Sequence, residues 1–177
     1  MKVMAPITVL IADHEKTRRA ACVRLLDHEE GIQVIGEARS GLEAIKATAR
    51  FKPRILLLSL SLLKGKKIGL LSALRRKSPE TKVILTTRHE SKARILEALS
   101  HGARGFIEEK TLTAFLPKAV QRVDIGKAWV PRSMISRIIN LLGPLASQVH
   151  ECEEGDPLPL PVRERGGVDG KISNIFG

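Results

Sequence analysis

The chain has 177 residues and a mass of 19.4 kDa, of which 43% are hydrophobic and 28% are charged. This length and composition are typical of a globular domain with an appendage, and they exclude a fibrous chain or one that is disordered throughout. The formal net charge is +11. Residues 151–177 carry six acids and three bases, so the first 150 residues carry 27 bases and 13 acids. Their net charge of +14 favours anionic partners.

Five short apolar runs predict β-strands at 7–12, 32–38, 54–60, 82–87 and 104–108. Four of the runs are nearly continuous rather than alternating, which is typical of parallel strands covered on both faces. The stretches that follow the strands repeat apolar residues three and four positions apart, which indicates an amphipathic helix after each strand. Strands and helices that alternate in this way predict an α/β fold with a doubly wound parallel sheet.

Two further segments follow the fifth helix. We expect an α/β domain over residues 6–126, a connecting or dimerisation helix over 127–148 and a poorly ordered linker over 149–177. The extra helix carries a broad apolar stripe that needs a partner surface, which is either a second subunit or the domain itself. We predict a self-association surface that contains Met134, Ile135, Ile138, Leu141 and Leu142.

The sequence favours a cytoplasmic protein. Its apolar runs are too short to span a bilayer, and the N-terminus shows no secretory signal, so we expect no membrane attachment. Cys22 and Cys152 lie far apart and lack metal-ligand spacing, which fits a reducing compartment.

Polar residues stand at the carboxyl ends of the predicted strands, where doubly wound sheets bind ligands. They are Asp13 and His14 after the first strand, Ser59 in the third, Thr87 in the fourth and Glu109 after the fifth. Arg18, Arg19 and Arg24 form a basic cluster on the first helix.

The segments VLIADHE, ILLLSLSL, VILTTRHE and GARGFIEEK resemble, in order and spacing, the receiver domain of bacterial two-component response regulators. The resemblance covers about residues 6–142 and points to the subgroup with a helix-turn-helix output domain. It implies a flavodoxin-like fold with five strands in the order 2-1-3-4-5. In the tail, LPVRER resembles the start of that output domain. We therefore interpret residues 149–177 as a linker and the remnant start of a helix-turn-helix output domain. We expect DNA contact only through an output domain that is not complete in this chain.

The resemblance also implies a pocket that this chain has altered. Receivers take a phosphoryl group from a histidine kinase onto an aspartate, with magnesium held by an acidic pair, and a hydroxyl and a lysine bind the phosphoryl oxygens. Here the phosphoacceptor position is Ser59, the acidic pair reads Asp13-His14 and the lysine position is Glu109. Thr87 and Phe106 match the family's switch hydroxyl and switch aromatic, and core packing is the alternative role of Phe106.

Ser59 cannot form an acyl phosphate, and one carboxylate fewer leaves a poor ligand set for magnesium. We therefore predict a degenerate pseudo-receiver that is not an enzyme, holds no cofactor and binds magnesium weakly or not at all. A contact between His14 and Glu109 is a hypothesis for how the altered pocket is held in one state. An enzyme that uses Asp13, His14 and Ser59 is a competing hypothesis, but neighbouring residues at a strand end point to different sides.

The predicted function is that of an atypical response regulator in signal transduction and transcription regulation. It would act through phosphorylation-independent contacts, as a homodimer or with a regulatory protein. One alternative is a nucleic-acid-binding regulator that uses its basic body or a missing output domain. The other is a phosphorylation-dependent receiver with a non-standard site.

Overall fold

The computed structural model describes residues 5–63, 69–88, 92–130 and 134. Five parallel strands form one sheet in the order β2-β1-β3-β4-β5, so the predicted strand order is confirmed. Three of the strands have the predicted bounds; β3 is shorter than predicted by one residue at each end, and β5 by one residue at its start. The strands are β1 (Ile7–Ala12), β2 (Ile32–Ala38), β3 (Ile55–Ser59), β4 (Lys82–Thr87) and β5 (Gly105–Glu108).

A helix follows each strand, as the apolar spacing predicts. The helices are α1 (Lys16–Asp27), α2 (Gly41–Phe51), α3 (Gly69–Lys77), α4 (Lys92–Ser100) and α5 (Leu112–Asp124). Single turns of 3₁₀-helix, Leu60–Leu63 and Glu109–Thr111, extend the carboxyl ends of β3 and β5. Within the described ranges, no helix is long and apolar enough to cross a membrane.

Helices cover both faces of the sheet, and strand alternation decides which face each side chain joins. Leu10, Leu56 and Leu85 share one apolar cluster with residues of α2, α3 and α4. Ile11, Leu57 and Ile84 share the other with residues of α1 and α5. Cys22 lies in this second cluster, where burial raises its pKa to about 12.

The segment after α5 lies against the free edge of β5. The Phe106 N–H donates to the Trp129 carbonyl (2.8 Å), and the Trp129 N–H donates to the Arg104 carbonyl (3.0 Å), which forms a parallel bridge. A Cβ atom at Gly105 would lie 3.2 Å from the Trp129 carbonyl oxygen, so this close approach favours glycine there. The pairing gives partners to edge groups of β5 that would otherwise need water.

Trp129 and Val130 lie just beyond the predicted domain boundary at residue 126 and are buried in the domain, and Trp129 pairs with β5. Met134 is 2% exposed and packs in the cluster of α2, α3 and α4, so it belongs to the domain's own core rather than to a free association surface. Ile135, Ile138, Leu141 and Leu142 lie outside the described residues.

Candidate functional site

A guanidinium group fills the acidic pocket at the carboxyl end of β1. Arg18, in the first turn of α1, donates through Nε to Asp13 Oδ2 and through Nη2 to Asp13 Oδ1 at 2.9 Å. Both side chains are buried. Asp13 Oδ1 also accepts the Glu15 N–H (2.9 Å) where the chain turns from β1 into α1. Both oxygens of Asp13 are therefore engaged by the chain itself.

A second arginine joins this pair to the loop after β4. Glu109 accepts from Arg18 Nη1 (3.1 Å) and from Arg88 Nε (2.9 Å) and Nη2 (3.2 Å). Glu15 lies 3.3 Å from the Arg18 guanidinium and 3.5 Å from that of Arg88. Three carboxylates thus surround two guanidinium groups. We call these five residues, Asp13, Glu15, Arg18, Arg88 and Glu109, the pocket network.

The charges of the pocket network change the titration of Glu109. The hydrogen bond from Arg88 is the main cause that lowers the pKa of Glu109, and Arg18 acts in the same direction. The hydrogen bond to Asp13 is the main cause that raises the pKa of Arg18 above its ordinary value. Arg18 and Glu109 are therefore charged at neutral pH.

The position predicted for the phosphoacceptor lies in a separate hydrogen-bond chain. Ser59 Oγ is 2.7 Å from Ser61 Oγ, which is 2.8 Å from His14 Nδ1. Ser59 is 2% exposed, whereas the His14 side chain is 57% exposed. Asp13 Oδ1 approaches the same ring nitrogen at 3.4 Å. A catalytic relay needs the two partners on different ring nitrogens, so these residues are not arranged as a triad.

The sequence hypotheses for this pocket need three corrections. The contact between His14 and Glu109 is not formed: Glu109 contacts two arginines, and His14 contacts Ser61. Arg18 is not part of an exposed basic cluster, because it is buried in the pocket. Arg19 is also buried, where it donates to the Asp13 carbonyl (2.7 Å) and to Glu37 (3.1 Å).

The assignment of the switch hydroxyl to Thr87 stays a prediction, and the neighbouring Thr86 is a second hydroxyl at the end of β4. Ser59 pairs in register with Thr86, and Thr86 is two residues beyond Ile84 on the face covered by α1 and α5. Alternation places Thr87 on the opposite face, with Leu85. Thr86 therefore shares the face of Ser59. Phe106 is buried in the cluster on the face of Leu85, in keeping with core packing.

Sequence analysis missed Arg18, Arg88 and Ser61 as residues of the site. One signal was present: Arg18 comes five residues after Asp13, in the first turn of a helix that begins at the pocket. Among the described residues, no group of three His, Cys, Asp or Glu side chains could hold a metal ion.

Comparison with known proteins supports this fold. The family described as the response regulator receiver domain matches residues 9–121, which is more than half of the chain. The chain belongs to the response regulator receiver domain family. A curated relative of this receiver domain, the oxygen regulatory protein NreC of Staphylococcus aureus (strain JH9), is 27% identical over 134 residues. That match covers 75% of this chain and 61% of NreC, so the chain spans less than two thirds of the curated relatives it matches.

Two solved receiver domains are similar in structure. The receiver domain of the response regulator NarL from Mycobacterium tuberculosis is 26% identical with a TM-score of 0.64, over 70% of this chain and 99% of that one. The isolated receiver domain of RcsB from Salmonella enterica serovar Typhimurium is 25% identical with a TM-score of 0.68, over 76% and 98%. These similarities confirm the predicted family and subgroup.

Acid should weaken the pocket network through Glu109. Because the pKa of Glu109 is lowered by folding, its stabilising effect is complete above the ordinary Glu pKa of about 4.3 and disappears as the pH falls through the lowered value. We expect Glu109→Gln to have a lower melting temperature than the wild type at pH 7, and we expect this difference to shrink as the pH falls below the ordinary Glu pKa of about 4.3. Thermal unfolding followed by circular dichroism measures both. Glu30→Gln, at an exposed acid after α1, is the control. A melting-temperature difference between Glu109→Gln and the wild type that is the same at every pH would contradict the prediction.

Proposed function

We propose that this receiver domain acts without phosphorylation, as a pseudo-receiver in signal transduction and transcription regulation. The observation that carries the proposal is the buried Arg18 guanidinium bound to both oxygens of Asp13. In the family, this carboxylate helps to hold a divalent cation. Here a cation that belongs to the chain already neutralises it.

The donor set of the pocket does not fit magnesium. Magnesium needs several oxygen ligands in an octahedral array, and Asp13 has no carboxylate oxygen that is not already hydrogen-bonded to the chain. His14 supplies no second carboxylate, and Arg18 places positive charge where the ion would lie. We therefore propose that the domain binds magnesium weakly or not at all and needs no cofactor.

The nucleophile is also unsuited to phosphoryl transfer. Ser59 is buried, and its hydroxyl bonds to Ser61 rather than to a base. A serine hydroxyl needs an adjacent general base to attack phosphorus. Glu109 adds negative charge where a phosphoryl group would need positive charge. We infer that the domain is not an enzyme.

The pocket network favours one fixed conformation of the domain. Arg88 directly follows β4, and its bonds to Glu109 hold the start of the β4–α4 connection against the end of β5. Signalling would then proceed through contacts of this fixed form with a regulatory protein or a second copy of the chain. Self-association through Ile135, Ile138, Leu141 and Leu142 stays a prediction, as does a cytoplasmic location.

The whole protein has a further candidate function, as a DNA-binding regulator. A structure of two RcsB dimers bound to two parallel DNAs is similar in fold, with a TM-score of 0.66 at 24% identity. Because the curated relatives extend beyond the match, we propose that DNA binding of the RcsB kind would depend on an output domain and not on the pocket.

Incubation with acetyl phosphate and magnesium tests the proposed function. We expect the intact mass of the wild type to show no phosphate adduct, because both the aspartate nucleophile and the metal site are missing. The variant Ser59→Asp/His14→Asp/Arg18→Ala/Glu109→Lys restores the receiver's residue types and is the positive control. An adduct on the wild type that disappears in Ser59→Ala would overturn the proposal.

Ser61 is a candidate for a non-standard phosphorylation site, and the same experiment distinguishes an adduct on Ser61 from one on Ser59. Its hydroxyl bonds to His14 Nδ1, and it is more exposed than Ser59. An adduct that persists in Ser59→Ala and disappears in Ser61→Ala would identify a phosphorylation-dependent receiver with an unusual acceptor.

A further inference from the structure

The end of the sheet opposite the pocket carries a basic surface. Parallel strands all begin at the same edge, and the helices that connect them end there. Arg54 directly precedes β3, Lys82 begins β4, Arg104 directly precedes β5 and Lys127 follows α5. The topology therefore brings together bases that are far apart in the sequence.

Backbone hydrogen bonds place these bases in a row. The Lys82 N–H donates to the Arg54 carbonyl (3.0 Å), the Arg104 N–H to the Val83 carbonyl (2.7 Å) and the Trp129 N–H to the Arg104 carbonyl (3.0 Å). Neighbouring strands lie about 4.8 Å apart, so the row from Arg54 to the segment of Lys127 is about 14 Å long.

The end of α3 widens the row into a surface. Arg75, Arg76 and Lys77 form its last turn, and all three are exposed. Arg75 lies against Gly102 in the turn between α4 and β5: a Cβ atom at Gly102 would be 3.2 Å from both Cδ and Nη1 of Arg75. One base in a last turn suffices to complement the helix dipole, and three consecutive exposed bases exceed that need. We call this surface, from Arg54 to Lys127 and including residues 75–77, the basic end.

Acids cancel part of the charge of the basic end. Asp124 is buried, and both its oxygens accept from Arg54 at 2.7 Å, so Arg54 forms an ion pair there. The Asp124 carbonyl accepts from Lys82 Nζ (2.9 Å), which fixes both basic side chains. Glu80 is an exposed acid at this end. Asp27, Glu29 and Glu30 lie at the same end of the sheet, at the end of α1 and in its connection to β2, and β2 is the edge strand opposite β5.

We propose that the basic end binds the sugar–phosphate backbone of duplex nucleic acid, independently of the pocket. Duplex DNA carries one negative charge per about 1.7 Å of axis, and its major groove is about 12 Å wide. A rigid row about 14 Å long matches the distance between the phosphates on the two sides of that groove. Such contacts are independent of base sequence, and they would hold the domain beside DNA that another module reads.

A salt titration of a short random-sequence duplex against the full chain tests this proposal by fluorescence anisotropy. We expect the wild type to bind at about 50 mM salt, with an affinity that falls linearly in a log–log plot up to about 200 mM. The triple variant Arg76→Glu/Lys77→Glu/Lys127→Glu should lose up to three phosphate contacts. We therefore expect the slope of log affinity against log salt concentration to become smaller by about 2–3, and the affinity at low salt to fall at least tenfold.

The control triple is Lys16→Glu/Lys46→Glu/Lys92→Glu, which changes the net charge equally at exposed positions away from the basic end. This control variant should retain the wild-type slope of log affinity against log salt concentration, and its affinity for the duplex should lie within about threefold of the wild type. Equal losses in the two triples would overturn the proposal, because net charge alone would then explain binding. A wild type that binds poly-glutamate but no duplex would also overturn it, in favour of an acidic protein. If the test triple unfolds, the variant Arg76→Gln/Lys77→Gln/Lys127→Gln replaces it.

Discussion

Replacing Arg18 with Met should lower the free energy of unfolding by about 3–5 kcal/mol. The substitution retains most of the side-chain volume and removes the guanidinium that bonds to both oxygens of Asp13. Asp13 is 3% exposed, so its carboxylate would remain buried without its main partner. Urea unfolding at pH 7 measures the loss directly.

Two variants and one ion distinguish this interpretation from a general loss of packing. Arg24→Met, at an exposed arginine on the same helix, should change stability by less than about 0.5 kcal/mol. Asp13→Asn/Arg18→Met should recover part of the loss, because no charge then remains unpaired. Magnesium chloride should raise the melting temperature of Arg18→Met and leave that of the wild type unchanged. A loss below about 1 kcal/mol in Arg18→Met would contradict the role given to the pair.

Truncation of Trp129 to Ala should also lower the free energy of unfolding by about 3–5 kcal/mol. Trp129 is 4% exposed, and its ring lies 6.0 Å from the ring of Phe115 in a tilted arrangement. The variant would leave a cavity between α5 and the edge of β5. Ile125→Ala is the matched control, because Ile125 lies four residues earlier and is 67% exposed. Similar losses in the two variants would show that the segment after α5 is not part of the domain core.

The fold could be predicted from the sequence because its strands are buried on both faces. The run ILLL in β3 is apolar at four consecutive positions before Ser59, so the strand is visible without a structure to within one residue at each end. The pairing of Trp129 with β5 was not predicted, because the apolar stripe later in the segment drew attention away from this short stretch. Trp129 and Val130, an aromatic and a β-branched residue, carried the local signal for an extended backbone.

The pocket could be located from the sequence but not its contacts. Parallel topology brings Asp13, Ser59 and Glu109 to one edge whatever their partners are. Whether Arg18 turns inward depends on competition among charged side chains from α1, β4 and β5, which no local pattern records. Arg18 and Arg88 satisfy Glu109, so His14 bonds to Ser61 instead.

The cation of the pocket is covalently attached to the chain, and this has a consequence for how the domain can carry information. A bound ion exchanges with its surroundings, and its occupancy reports their composition. A tethered guanidinium is always present at one equivalent, whatever the level of divalent ions or phosphoryl donors in the cell. Under the proposed function the pocket has no occupancy to vary, so the quantities left for the cell to adjust are the numbers of copies of this chain and of its binding partner.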